Sequence, residues 1–265
     1  MSSNKQVGTL YGVSLGPGDP DLITRRAWAL LQRDDATWTY PVRSKKSDSY
    51  ALDIVLRAGL SLPSAHQALV FPMTHEREKL EKYWLQAGET ILPLLQSGRD
   101  VLFLVEGDAS TYSTFSHLAR TVVSLDETIR VETIAGVCSF NAAAARLQTS
   151  LADTDDTIAI IPASYGVTVI DALLKQFDTL VLLKVKPLMD EVIDLLAQRN
   201  LVQHSQFIEK AGTPDEYIVN DISVLKGKPV NYLSLLLVKN PYRQRGEMIR
   251  GCRKKTPARE TGVSA

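Results

Sequence analysis

Short apolar runs alternate with amphipathic stretches along most of the chain. Runs at 9–13, 36–40, 67–71, 101–105 and 130–134 have the length and composition of strands. Segments with helical spacing lie between them. In 22–32 the apolar residues are Leu22, Ile23, Ala27, Leu30 and Leu31, and 51–58 (ALDIVLRA) closes at Gly59. Further helices are predicted over 76–97, bent near Gly88 and Pro93, and over 115–125. Pro41 and Pro72 are expected to end the strands before them. Ordered alternation of this kind predicts an α/β protein with a mostly parallel sheet.

A second unit begins near Ala135-Gly136. A helix with an alanine stripe is predicted over 139–147, followed by strands at 157–161 and 179–185 and helices at 167–175 and 188–199. The pattern then changes. Strands at 206–209, 216–219 and 231–238 have no long helices between them, which predicts antiparallel additions to a mixed sheet. The expected organisation is an N-terminal α/β domain over 1–135, a C-terminal α/β domain over 136–240, and a basic tail over 241–265. The tail is rich in breakers and is expected to be solvated, with little to bury.

Composition acts mainly by exclusion. The 265 residues are 45% hydrophobic and 23% charged, with zero net charge, as expected for a soluble globular protein. No overall basic field draws nucleic acid or an anionic membrane. The start, MSSNKQVGTLYG, has no apolar signal core, and no apolar stretch nears the ~20 residues of a membrane span. Two cysteines, Cys138 and Cys252, and histidines at 66, 75, 117 and 204 share no ligand spacing. These features predict a reduced, cytoplasmic protein without a metal.

Two strand-to-loop junctions carry the chemistry. Ser14 to Thr24 reads SLGPGDPDLIT, and Glu106-Gly107-Asp108 follows the run at 101–105. Open sheets bind ligands at the carboxyl ends of their strands. In the first loop Gly16 and Gly18 permit close backbone approach, whereas Pro17 removes an amide donor that a phosphate cradle would use. A dinucleotide fingerprint fails here, because Asp21 stands where its third glycine belongs, and no Walker loop occurs. The plain alternative for GPGDPD is a turn with Asp21 as N-cap of the helix at 22–32.

Four segments in order resemble one known family, the tetrapyrrole methylases: GVSLGPGDPDLIT, LFLVEGDASTYSTF, IAGVCSFNAAAA and NYLSLLLV. The YSTF after the acidic turn, TYP at 39–41 and FPMT at 71–74 are most similar to the branch that methylates the C-20 meso carbon of precorrin-2, with or without cobalt. The resemblance implies two α/β domains, S-adenosylmethionine and substrate in the cleft between them, and a homodimer. It implies cofactor contacts at Pro17, Glu106, Gly107, Asp108, Thr111, Cys138 and Ser139. Ala109 and Ala135 stand where relatives often have proline, which is expected to loosen the backbone there. Other readings of the same resemblance are a methylase for another precorrin and a non-catalytic module that binds S-adenosylmethionine.

Methyl transfer to carbon needs no nucleophilic side chain. Near-attack positioning alone supplies ~7–11 kcal/mol in favourable cases. It does need a destination for the proton lost from the methylated carbon. Asp108, Lys184 and Tyr232 are candidate proton handlers or positioning groups, and Asp108 has the strongest claim because Gly107 lets its turn approach a ligand. The Gly107-Asp108 turn is expected to face the Gly16-Pro17-Gly18 loop across one cleft. A polycarboxylate substrate calls for cations, for which Arg43, Lys45 and Lys46 are candidates, with Asp19 also near the substrate.

Overall fold

A computed structural model describes residues 7–246. The first half of the chain builds an all-parallel sheet from β1 (Thr9–Ser14), β2 (Thr37–Val42), β3 (His66–Val70), β4 (Val101–Val105) and β5 (Arg130–Ile134), in the order β3-β2-β4-β1-β5. The central strand β4 reads VLFLV and is buried throughout, as a parallel strand covered on both faces must be. Helices α1 (Arg25–Leu31) and α2 (Tyr50–Arg57) cover one face, where Ala27, Ile54 and Val55 pack with Val13, Leu102 and Leu104. Helices α3 (Arg77–Gln96) and α4 (Phe115–Leu125) cover the other, where Ile91, Leu95, Phe115 and Leu118 meet Leu10 and Phe103.

The second half forms a mixed sheet from β6 (Ile158–Pro162), β7 (Thr179–Leu183), β8 (Ser205–Glu209), β9 (Tyr217–Val219) and β10 (Ser234–Lys239), ordered β6-β7-β10-β8-β9. Only β6 and β7 pair in parallel, and β10 runs antiparallel to both β7 and β8. Helix α5 (Ser139–Arg146) lays its alanine stripe on this sheet, with Ala143 against Val181, Ile208 and Leu235. Helices α6 (Val167–Leu174) and α7 (Met189–Gln198) cover the opposite face. Among the described residues no helix is long and apolar enough to cross a membrane.

Three expectations need correction. Asp21 does not cap a helix at 22. Asp19 caps a single tight turn by accepting from the Asp21 N–H at 3.0 Å, and Thr24 caps α1 by accepting from the Ala27 N–H at 3.3 Å. Pro41 does not end β2 but lies within it. β2 pairs with β4 only over Thr37–Thr39, so beyond Thr39 it has one neighbour and tolerates a residue lacking a donor.

The third correction concerns the basic segment after β10. The Asn240 side-chain amide donates to the Leu174 carbonyl at 2.6 Å. Arg243 and Arg245 both reach the buried Asp178 carboxylate, Arg245 through Nε at 2.9 Å. Asp178 also accepts from the Thr157 N–H at 2.8 Å. Burial pushes the Asp178 carboxyl up, but the Thr157 bonds and the two guanidinium groups outweigh it and hold it at about 2. The first residues of the expected tail are therefore a clasp on the second sheet. Residues 247–265, the remainder of the expected tail, lie outside the described residues.

Truncation after Asn240 should therefore destabilise the protein by about 2–3 kcal/mol near neutral pH, because a buried carboxylate loses its counter-charges. The Asp178 carboxyl lies below its unfolded value, so its contribution is present above pH ~4 and lost as pH falls through about 2. Urea midpoints of the full and truncated chains should thus differ at pH 7 and converge in acid. Equal midpoints at pH 7 would mean the clasp contributes nothing.

Candidate active site

The carboxyl ends of β1, β4 and β5 are laced together by side chains and not only by the sheet ladder. The Ser14 hydroxyl, at the end of β1, donates to the Ile134 carbonyl at the end of β5 and accepts the Ala109 N–H at 2.8 Å. Gly16 and Gly107 form an isolated antiparallel bridge, with N–H to O distances of 3.2 and 2.7 Å. Gly107 adopts φ +77°, a region that side chains rarely occupy, although nothing lies within 4 Å of where its Cβ would sit. The two glycine loops are thus joined on one wall, and do not face each other across a cleft as expected.

Asp108 fastens this wall. One carboxylate oxygen accepts from the Ser110 N–H at 2.9 Å, the Thr111 hydroxyl at 3.2 Å and the Ser110 hydroxyl, and the other accepts from the Gly136 N–H at 2.8 Å. Burial pushes its carboxyl up, but the bonds from Ser110, Gly136 and Thr111 outweigh that and hold it below the usual range. Gly136 must be glycine for close approach: a Cβ there would stand 2.3 Å from the Ser14 Cβ. Ala109 tightens the loop instead of loosening it, since a proline at that position could not donate to Ser14. At Ala135 the carbonyl accepts from the Thr24 hydroxyl at 3.4 Å.

This wall forms one side of a cleft whose other side is the second sheet. Pro17, Glu106, Gly107, Asp108, Thr111, Cys138 and Ser139 all line it from the first side. Leu183, Ile208 and Leu235 give the far side an apolar floor, and Lys184, Lys210 and Tyr232 stand at its strand ends. The cavity between the two sides is about 240 Å³, just below the ~300–1,000 Å³ range of small-molecule sites, and it opens to solvent at its mouth. Three non-glycine residues that line it, Tyr112, Lys184 and Lys210, hold φ of 51°, 55° and 51°. Such strain costs on the order of 1–3 kcal/mol per residue and clusters where ligands bind.

Glu106 differs from Asp108 in its partners and in its affinity for a proton. No hydrogen bond from a described residue reaches its carboxylate, and burial pushes its carboxyl up to about 7 against the lowering effect of Arg43. The Arg43 guanidinium stacks 5.4 Å from the Tyr50 ring and 5.7 Å from the Tyr232 ring, which carries it from the first unit across the mouth to the second. The Cys138 thiol is pushed up by burial.

The other substrate candidates fall elsewhere. Lys45 and Lys46 are exposed in the loop before α2, and Asp19 caps its turn; none of the three lines the cleft. Lys210, which the sequence reading missed, ion-pairs with Asp215 at 3.0 Å at the edge of the cleft. It follows the last residue of β8 as Lys184 follows that of β7, and this strand-end position was its only sequence signal.

Residues 9–224 match the family model described as Tetrapyrrole (Corrin/Porphyrin) Methylases. The chain is 33% identical over 232 residues to the cobalt-precorrin-2 C(20)-methyltransferase of Salmonella typhimurium, covering 87% of this chain and 96% of that one. It is 29% identical over 244 residues to the "Probable cobalt-precorrin-2 C(20)-methyltransferase" of Methanocaldococcus jannaschii, covering 89% and 98%. In fold it resembles uroporphyrin-III C-methyltransferase from Thermus thermophilus, solved in complex with S-adenosylhomocysteine, at a TM-score of 0.58 and 20% identity over 88% of this chain and 97% of that one.

Two stability effects of opposite sign are expected from the carboxylates flanking Gly107. Asp108→Ala should cost about 2–4 kcal/mol at pH 7, because buried donors lose a charged acceptor. Glu106→Gln should stabilise the ligand-free protein at pH 8, by up to about 2–3 kcal/mol, because the folded state no longer holds an ill-solvated charge. The folded Glu106 value lies above the unfolded one, so this gain should shrink below pH 7 and vanish near pH 4. Thermal melts across pH 4–8 check both signs, and a Glu106→Gln variant less stable than wild type at pH 8 would contradict the assigned burial.

Proposed function

The chain belongs to the tetrapyrrole methylases, and from that membership we propose that it transfers a methyl group from S-adenosylmethionine to C-20 of precorrin-2, in its cobalt-loaded form, during cobalamin biosynthesis. The cobalt form is favoured because the Salmonella typhimurium and Methanocaldococcus jannaschii relatives carry it in their names. The observation that carries the reading is the convergence of all seven cofactor candidates on one cleft.

The residues present suit the cofactor. Gly107 leaves open space where a side chain would stand, Leu183, Ile208 and Leu235 offer an apolar seat for an adenine, and Glu106 supplies charge of the sign a sulfonium needs. Bound S-adenosylmethionine supplies an electrophilic methyl group. The chain's own work is to hold the two reactants in line and keep water out, for which strained, laced loops are suited. Lys184, Lys210 and Arg43 are proposed to meet substrate carboxylates, with Tyr232 positioned by the Arg43 stack. Lys45, Lys46 and Asp19 are left without such a role.

The protein is further inferred to act in the cytoplasm as a homodimer.

Calorimetry with S-adenosylhomocysteine should show binding to wild type and none to folded Gly107→Val, since a β-branched residue cannot hold φ +77° without moving the loop. Isotope-labelled methyl should pass from S-adenosylmethionine to cobalt-loaded precorrin-2, and less efficiently to the metal-free form. Binding without transfer to either substrate would overturn the enzymatic reading. Wild-type affinity in Gly107→Val would move the cofactor out of this cleft.

A further inference from the structure

We propose that Glu106 is the base that takes up the proton released when the substrate carbon is methylated, and that Asp108 is confined to holding the loop. This rests on the methylase reading above. Two carboxylates flank one glycine, and their surroundings push them apart. Asp108 accepts four hydrogen bonds, from Ser110 twice, Thr111 and Gly136. A proton arriving there would have to displace donors that hold the strand ends together. Its carboxyl is also held below the usual range, which makes it a weak base.

Glu106 has the complementary properties. It lines the cleft, it accepts no hydrogen bond from a described residue, and its burial sets it near the pH at which a general base works best. Pairs of acids whose environments split their affinities for protons mark the division of labour in acid–base sites.

Charged and titratable groups face Glu106 from both walls of the cleft. Arg43 reaches in from the loop after β2 and lowers its proton affinity. Asp108 and Cys138 lie on the same wall, one held as a carboxylate and the other held as a thiol. Lys184, Lys210 and Tyr232 stand on the opposite wall, Lys210 held as a cation by Asp215. Tyr112 donates its hydroxyl to the Ile160 carbonyl at 3.2 Å.

The step balances without any further reagent. A carbon–carbon bond forms from the substrate's π electron pair as the methyl carbon–sulfur bond breaks, with its pair left on sulfur. The methylated carbon then gives its proton to the Glu106 carboxylate, and the C–H electron pair returns to the conjugated system. Glu106 passes the proton to water when the product leaves.

The test uses the full chain with cobalt-loaded precorrin-2 in single-turnover methyl transfer from pH 5.5 to 9, beside calorimetry with S-adenosylhomocysteine. Wild-type rate should rise with pH and level off, because the base must be ionised, with the midpoint at or below the ligand-free value of about 7 because the bound sulfonium favours the carboxylate. Glu106→Gln, measured at saturating S-adenosylmethionine so that a change in cofactor affinity does not enter the rate, should lose ~10²–10⁴-fold in rate and lose the rise with pH. Glu106→Asp, which keeps a carboxylate, should recover part of the rate and the pH dependence. Carbon-13 NMR of glutamate carboxyls in ligand-free protein should show one resonance titrating near 7 that is absent from Glu106→Gln. Undiminished transfer by Glu106→Gln, or a Glu106 resonance titrating near an ordinary glutamate value, overturns the assignment alone. A wild-type protein that binds S-adenosylhomocysteine but methylates neither precorrin form overturns the methylase reading, and this assignment with it.

Discussion

The four-bonded carboxylate of Asp108 is the constraint on which the site depends. A parallel sheet ends in loops that its ladder does not restrain, and here three of those loops must hold one surface. Asp108 binds the turn after β4 to itself through Ser110 and Thr111 and to the loop after β5 through Gly136. Ser14 adds the end of β1 by bonding to both Ile134 and Ala109. With those links in place Gly107 can be kept at φ +77° and bridged to Gly16, a geometry that no ladder hydrogen bond would impose.

One consequence is electrostatic. Because Asp108 absorbs the nearby donors, Glu106 is left partly buried with no donor to it among the described residues, and Arg43 tempers its rise. Two acids of the same turn thereby acquire opposite characters from the same lacing. The second sheet contributes differently. β7 and β8 run toward the cleft and place Lys184 and Lys210 just past their ends, each in a left-handed turn. Cations thus face a wall that carries the acids, an arrangement suited to an anionic substrate above a cationic donor.

Much of this was legible in the sequence because burial in a parallel sheet leaves a strong mark. VLFLV at β4 and the alanine stripe of α5 announce central and close-packed elements. The cleft-lining residues were found through family motifs, and the structure brings all seven cofactor candidates together with Lys184 and Tyr232. What could not be read were choices among near-equivalent polar residues. Asp19 and Thr24, not Asp21, act as caps because the chain makes a tight turn before the helix begins. Arg43, Lys45 and Lys46 look alike in sequence, but only Arg43 finds aromatic partners across the mouth. The basic segment after β10 reads as a tail until Asp178, far away in sequence, is seen beneath it. Ala109 reads as a missing proline until its N–H is found on Ser14.

The central claim is that cofactor and substrate meet between the two sheets, over the wall that Asp108 holds together. A crystal structure with S-adenosylhomocysteine tests it most directly. We expect the ligand between the Gly107 turn and the floor of Leu183, Ile208 and Leu235, beside Glu106. Ligand density outside this cleft would contradict it.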